Sequence, residues 1–559
     1  MLLRSMESTM LFRLPILILF LFAIIANASV YVVGPDRQYE RIIDCPTFDL
    51  QAGDTIKVYA KEEPYYEKFL LNGIGVEEAP IVLIGIPDED GNKPIIDGID
   101  AMSSLETAYW NEPRQLILVG QYSARFSDYI IVDGFELRNA NMLHTYTDDH
   151  QEVVRYAENA CGIRAEYCGH LIVRNCDIHD NANGFQNGET DREQYVTLES
   201  CHIYDNGAGP DPDRWLEHNI YAMGRDIHLT VQFCWFGELQ NDGQQLKSRA
   251  ETNIIRYNWI EGGKNSQLDL VDSDYGDGVR ANAYVYGNVI VKPAVTNNSR
   301  MINFGGESQE RPRKGTLHFF NNTCIVNSER DWGTRRLFDI SSDSANVIAD
   351  NNIFYMNDNS YELWAGRPNI TGSNNWFSDI ARGDSLLENG LRGEDPGFMD
   401  FDNKDFHIVE GSPGIDFIRG YEFPEGHELL FQYLHPTSFE ERPITNEALD
   451  IGAFYFPNQV EDIVSPNFPE TPVQFKMYPA YPNPFNSTTT ITFQLPFQSN
   501  VRLSVHDLVG REVAVLVNQN LTPGTHEVRW EADDQPSGMY FCMMEASGFR
   551  ISKGVAFVR

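Results

Sequence analysis

The sequence predicts an all-β chain: a solenoid of short stacked strands, followed by a small β-rich domain at the C-terminus. Three observations predict it. Runs of β-branched residues, such as Thr55-Ile56-Lys57-Val58 and Ile81 through Ile84, end in Gly, Asp or Asn and never settle into a helical period. An apolar-x-apolar-x-x-(Asn/Cys)-x-apolar motif recurs with its anchor at Cys176, Cys201, Cys234, Asn258, Asn288, Asn322 and Asn351, at intervals of 25, 33, 24, 30, 34 and 29 residues. A stretch rich in Pro, Asn, Asp and Glu at 457–474 then separates this pattern from longer β-type runs.

The chain has 559 residues, more than one ordinary core holds, so several domains or a repeat architecture is expected. Its 81 Asp and Glu against 43 Lys and Arg give a formal net charge of −38, a field that repels nucleic acid and anionic membranes. Any local cluster of cations is therefore conspicuous.

In order along the chain, residues 1–28 read as an export signal. Arg4 and Arg13 precede an apolar run from Leu14 to Ile25, and Ala26-Asn27-Ala28 supplies small residues for cleavage. The run is about half a membrane span, and no later segment is long and apolar enough to cross a bilayer.

Residues 29–456 are expected to form the solenoid. One coil cannot bury its inward face alone, so like side chains stack rung on rung. Asn at a repeated turn can bond the next Asn and the backbone. Insertions of variable length fall in the turns, where binding sites are usually built. The eight cysteines fit the same scheme. Export would permit disulfides, and Cys161 and Cys168 are spaced to close a short loop, but Cys176, Cys201 and Cys234 fall at one repeat position, as a ladder of buried thiols would.

The repeat resembles the right-handed parallel β-helix proteins of the pectate-lyase-like superfamily over about residues 30 to 456. Asp395-Pro-Gly-Phe398, Asp405-Phe-His-Ile408, Ser412-Pro-Gly-Ile-Asp416 and Asp450-Ile-Gly-Ala-Phe454 look like the segments that close many secreted members. The fold this implies is a right-handed parallel β-helix solenoid followed by a small C-terminal β-sandwich. Within residues 475–559, Tyr478-Pro-Ala-Tyr-Pro-Asn-Pro-Phe-Asn486, Val501 through Val513 and Gly538-Met-Tyr-Phe541 resemble the type A C-terminal sorting domain of type IX secretion. That resemblance implies recognition by the type IX machinery, passage across the outer membrane, and release or surface display.

The candidate site lies between Glu217 and Asp277. Strand side chains alternate between faces, and aligning Ile220, Leu246 and Leu268 puts Tyr221, Lys247 and Asp269 in one outward column with Gln245 and Arg249 beside it. Glu217, His218 and Asn219 fall at its edge. Cations beside aromatic and polar groups suit β-elimination of a uronate glycan, in which the carboxylate is neutralised, the C5 proton removed and the leaving oxygen protonated. Lys247 as base, Arg249 on the carboxylate and Tyr221 or His218 as acid fill those roles. Glu217, Asn219, Gln245, Asp269 and Arg280 are expected to touch substrate. Residues 99–160 show no clear pattern, although Tyr109, Trp110 and Tyr122 are candidates for a loop wall over the groove.

Lys247-Ser248 with Asn253 also resembles the Lys-Ser…Asn segment of β-helix alginate and dermatan lyases, which carry an Arg on the following coil. Here that coil reads Leu268-Asp269-Leu270, with Arg280 further on, so that family's mechanism is not transferred. Asp269 beside Lys247 equally suits a salt bridge that keeps the lysine charged. Asp269, Asp272, Asp274 and Asp277 offer oxygen ligands for Ca²⁺ without the spacing of an EF-hand, and a turn rich in Asp and Gly has the same composition.

The reading is thus a secreted or surface-displayed protein acting on polysaccharide, with a polysaccharide lyase first. A non-catalytic carbohydrate-binding or adhesive solenoid is the alternative class, and in it Lys247 and Arg249 form a charged face balanced by Asp269 and Glu251. A glycoside hydrolase, the other alternative, needs paired carboxylates, for which Asp269 with Asp242 or Asp272 are available. Phosphate-binding Gly loops, zinc spacings and nucleophile elbows are missing from the sequence.

Overall fold

The computed structural model describes residues 28–456 and 476–557, except for 105–111, 122–124, 189–191, 210–216, 225, 273–281, 297–299, 307–312, 328–335, 341–342, 358–360, 367–368, 443–447, 479, 481–484, 496–498, 507–510, 522–523, 533–534, 537 and 547–548. The expected export signal and the linker at 457–474 therefore lie outside the described residues, bar Ala28. So do Tyr109, Trp110, Tyr122, Asp274, Asp277 and Arg280.

Three sheets of 12, 11 and 13 strands run along the chain from Val30 to Gly393, and between His170 and Gly366 each coil gives one strand to each sheet. A representative coil contributes Ile227–Gln232 to the first face, Trp235–Phe236 to the second and Leu246–Ser248 to the third. The next contributes Thr252–Arg256, Trp259–Ile260 and Leu268–Leu270. Pairing is parallel throughout, apart from Thr145–Thr147 against Val153–Arg155 at the edge of the third face. The chain is a right-handed parallel β-helix. Coiling begins at Val30–Val33, well before the first anchor of the sequence repeat at Cys176, and includes the described strands between 99 and 160.

Alternation explains the first face. Leu229, Val231, Ile255, Val285, Leu317 and Phe319 point inward and are fully buried, while the residues between them are half-buried or exposed. Each inward aliphatic side chain contributes roughly 1.5–3 kcal/mol on burial, and together they form one continuous core along the coils.

The turn between the first and second faces is held by an amide ladder. The side chain of Asn258 donates to Asn288 Oδ1 at 2.9 Å, Asn288 to Asn322 at 2.9 Å, Asn322 to Asn352 at 3.1 Å and Asn352 to Asn375 at 3.0 Å. The ladder thus runs through Asn352, whereas the sequence motif places its anchor one residue early, at Asn351. Asn351 instead occupies the left-handed position before the ladder, with φ +62°, as Asn321 does at +50° and Asn374 at +58°. Gly287 holds the same position at +66°, a conformation that Gly and Asn adopt at least cost. Asn351 and Asn374 build a second, outer ladder on Asn321.

In the earlier coils the inner ladder becomes Cys176, Cys201 and Cys234, whose thiols donate to turn carbonyls. All eight cysteines are free and buried, so Cys161 and Cys168 are not bridged. Burial raises the Cys176 and Cys201 thiols well above the ordinary range.

The segments near residues 395–456 do more than close the end of the solenoid. They fold back along the outer side of the second face, where Phe398, Phe406, Ile408, Tyr433 and Phe454 cover Trp259, Val289, Ile353 and Trp376. Asn321 Nδ2 donates to the Asp450 carbonyl, which ties this return to the outer ladder. The C-terminal domain packs two antiparallel sheets, of three and four strands, around Ile491, Phe493, Leu503, Trp530, Met544 and Val555. No helix among the described residues is long and apolar enough to cross a membrane.

Candidate functional site

The third face places Gln186, Tyr221, Lys247, Asp269, Asn303 and Asp339 at one register position on six successive strands. The inward neighbours Ile220, Leu246, Leu268 and Ile302 fix that register, since slipping by one residue would turn them out of the core. The column points away from the core, yet Gln186, Lys247, Asp269 and Asn303 are shielded from solvent, with Tyr221 and Asp339 partly exposed. Side-chain exposure is 7% for Lys247 and 3% for Asp269, so this is a covered furrow and not the open groove the sequence suggests.

Lys247 Nζ lies 3.7 Å from Asp269 Oδ2 and 5.9 Å from the centre of the Tyr221 ring. Asn303 Nδ2 donates to Asp269 Oδ1 at 2.7 Å. Arg249 donates from Nε to the Tyr221 hydroxyl at 3.2 Å and from Nη1 to the Asp272 carbonyl at 2.7 Å. A third cation joins them. Arg313 is fully buried and donates to the carbonyls of Ala250, Val271 and Glu251, and burial lowers it to about 10. Three buried cations on adjoining coils are an unusual concentration in so acidic a chain.

His218 stands edge-on to Tyr221, with ring centres 5.1 Å apart. Its Nδ1 accepts the Gln244 backbone N–H at 3.1 Å, so a neutral ring carries its proton on Nε2. Desolvation, followed by the charges of Lys247 and Arg249, pushes its pKa well below the usual histidine range.

Several residues expected at the site have other work. Asn219 and Gln245 are fully buried in a second internal amide ladder: Asn206 donates to Asn219, Asn219 to Gln245, and Gln245 to the carbonyls of Gly237 and Glu261. Neither amide can reach a substrate. Glu217 accepts from Asn241 Nδ2 at 2.9 Å and is likewise buried. Ser248 points inward and donates to Asn253 Oδ1 at 2.6 Å, so the Lys-Ser…Asn similarity reflects a turn-holding pair. Asp269 is engaged by Lys247 and Asn303, an arrangement that competes with coordination of Ca²⁺. Asp272 enters through its carbonyl, and the Asp242 carbonyl accepts from Asn265.

Sequence reasoning missed the other half of the furrow. Arg164, in register with Gln186, donates from Nε to Glu166 at 2.9 Å with both side chains buried. Arg164 Nη1, Glu166 Oε2, Gln186 Oε1 and Asn303 Oδ1 are buried without a hydrogen-bond partner among the described residues. Asn183-Gly-Phe-Gln-Asn187 carried the signal for Gln186, since it aligns with His218 through Ala222 once the register is extended backwards. Arg313 left no signal, because it arrives from a turn outside the repeat. Among the described residues, the one close group of three metal-ligand side chains, Asp148, Asp149 and His150, lies next to the antiparallel pair at the sheet edge, away from the furrow.

Fold and furrow together define a right-handed β-helix protein with a polar, cation-rich site on one face. Comparison with known proteins agrees on the architecture and adds its destination. Residues 151–308 match the right handed beta helix region family, and residues 479–556 match the secretion system C-terminal sorting domain. The chain is a β-helix protein bearing a type IX sorting tail, which directs export to the cell surface or beyond. No curated protein matches it. Similar solved structures include a mutant of the PL6 family alginate lyase AlyGC, at 10% identity over 65% of this chain and 55% of that one with a TM-score of 0.30. The complex of XylC with xylose is 10% identical over 90% of this chain and 100% of that one, with a TM-score of 0.38. The tailspike protein 2 from Escherichia coli O157:H7 bacteriophage CAB120 is 12% identical over 92% and 65%, with a TM-score of 0.25. The chain therefore spans about half the length of the alginate lyase it matches.

Proposed function

We propose that the protein is an exported polysaccharide lyase that cleaves an acidic glycan in the furrow of the third face. One observation carries the reading: Lys247 and Arg249, two buried cations, flank the Tyr221 phenol on adjoining coils, with His218 beside it. In this scheme the cations neutralise the uronate carboxylate, which makes the neighbouring C5–H acidic. Tyr221, reacting as the phenolate, takes that proton and becomes the phenol. The freed electron pair becomes the C4=C5 double bond, the C4–O bond breaks, and the departing oxygen takes a proton from the phenol or from solvent. Lys247, paired with Asp269 at 3.7 Å, serves in this scheme as a neutralising cation and not as the base. Arg249, donating to the Tyr221 oxygen at 3.2 Å, offsets the negative charge of the phenolate before it takes the proton. His218, neutral, donates from Nε2.

The test is a panel of alginate, pectin and glycosaminoglycan substrates, followed by unsaturated-product absorbance and by reducing ends. Tyr221→Phe should lower the absorbance rate by about a hundredfold or more, with Lys247→Ala also impaired. Reducing ends without absorbance would mark a hydrolase. A second reading, a non-catalytic glycan-binding solenoid, is favoured by the pairing of Lys247 with Asp269. Silence in both channels with retained glycan binding would establish it and sink the lyase.

A further inference from the structure

The furrow column ends at Asp339, four strands beyond Tyr221 by way of Lys247, Asp269 and Asn303. At about 4.8 Å per strand, the two residues stand about 19 Å apart along the solenoid axis. The middle of the column is buried, whereas its far end reaches solvent in the company of two cations. Arg300 Nη1 lies 3.3 Å and Arg336 Nη2 3.0 Å from one oxygen of Asp339, Oδ2. Their side chains are 26% and 32% exposed, against 7% for Lys247.

One carboxylate shared by two guanidiniums leaves the cluster with a positive charge. Glu362, in register with Arg336 on the following strand, forms no ion pair with it among the described residues. In a chain of net charge −38 this accessible pair is a local reversal of sign, and it draws anions. A planar fork of N–H donors suits a carboxylate in particular, and both arginines already hold a carboxylate oxygen. A neutral sugar would meet the donors and leave the charge unanswered.

We propose that Arg300 and Arg336 bind the carboxylate of a second uronate in the same glycan, at a subsite about 19 Å from Tyr221. The inference rests on the furrow being the glycan site, and it narrows the substrate to a polyuronate long enough to reach from Tyr221 to Asp339. A disaccharide is too short for that. Asp339 competes with the incoming carboxylate for the two guanidiniums, so it holds the subsite below its full affinity.

The test is calorimetric titration of the full-length protein with dimers and hexamers of galacturonate and of mannuronate, in a Tyr221→Phe background that slows turnover. At least one hexamer should bind, and more tightly than its dimer. Arg300→Gln and Arg336→Gln should each weaken the hexamer by about three- to tenfold, the worth of a charged hydrogen bond at a partly exposed site, and leave the dimer unchanged. Asp339→Asn should tighten the hexamer, an effect that misfolding does not produce, and circular dichroism checks the fold of each variant. No binding of either hexamer, equal affinity for dimer and hexamer, or a hexamer indifferent to both arginine variants would each overturn the proposal. So would a hexamer that Asp339→Asn fails to tighten, or tighter binding of a carrageenan hexasaccharide, which is sulfated and free of uronate. Failure of the lyase reading shows separately, as wild-type protein that binds the hexamer and releases no unsaturated product.

Discussion

Replacing either member of the Lys247–Asp269 pair tests whether the furrow cation is held by its neighbour. At 3.7 Å and an effective dielectric near 20, the Coulomb attraction is roughly 4–5 kcal/mol. Desolvation of two side chains that are 7% and 3% exposed opposes most of it. Removing one partner strands the other, and a buried charge without its mate costs about 3 kcal/mol. Lys247→Met leaves a carboxylate still bonded by Asn303, and Asp269→Asn leaves an ammonium facing an amide. The double variant carries no charge to strand, but Asn303 and the packing remain disturbed, so it too should lose about 3 kcal/mol. The coupling energy is then about 3 kcal/mol in favour of the pair. Because a solenoid need not unfold in one step, the assay is native-state hydrogen exchange at the amides of Leu246–Ser248 and Leu268–Leu270, which reads local opening. In the cleavage assay, Asp269→Asn should lower KM for an acidic glycan, since the competing carboxylate is gone. Additive single losses, with coupling within about 0.5 kcal/mol of zero, would refute the claim that Lys247 and Asp269 stabilise each other.

Other outcomes follow from the same geometry. The pKa of His218 lies well below its unfolded value of about 6.5, so the unfolded chain binds the proton first. Its contribution is complete above that pH and is lost on acidification, at up to about 1.4 kcal/mol per pH unit. The stability difference between the wild type and His218→Gln, from denaturant titrations, should therefore shrink as pH falls below about 6.5. Asn288→Ala removes the acceptor for Asn258 and the donor to Ile255 and Asn322. It should cost about 2–4 kcal/mol in local exchange, more than any single exposed substitution on the first face. Thiol titration should find all eight cysteines unreactive in the native protein and all eight reactive after denaturation, with no change in melting midpoint on adding reductant.

The fold was legible because a solenoid writes its geometry into a repeat. The Asn and Cys anchors mark the turn, and the apolar alternation marks the first face. The one-residue misplacement at Asn351 has a physical cause: two consecutive asparagines, Asn351 and Asn352, serve two different ladders, one requiring a left-handed backbone and the other an inward amide. The column of Tyr221, Lys247 and Asp269 was legible for the same reason, since register follows from the inward aliphatics. Burial was not. Gln245 and Asn219 read as outward polar residues because alternation was extended past the strand into the corner, where the chain turns and the side chains face the interior. The returning segment of residues 395–456 and the approach of Arg313 depend on contacts between distant parts of the chain, which no local pattern encodes.

The two covered outer faces of this solenoid differ in a way that favours a functional furrow over a structural one. On the second face, the chain shields Val289, Ile353 and Trp376 with Phe398, Ile408 and Phe454, and apolar surface meets apolar surface. That is how a cover is built when stability alone is at stake. On the third face the shielded column is Gln186, Lys247, Asp269 and Asn303, flanked by Arg164, Glu166 and Arg249. Four polar atoms there have no partner among the described residues, each at a cost of about 1–3 kcal/mol. Aliphatic side chains at the same register positions would avoid that cost, as the neighbouring face demonstrates. The partly exposed members of the column, Tyr221 and Asp339, are the points at which a glycan lying along the solenoid axis would touch it, with the buried charges setting the potential beneath.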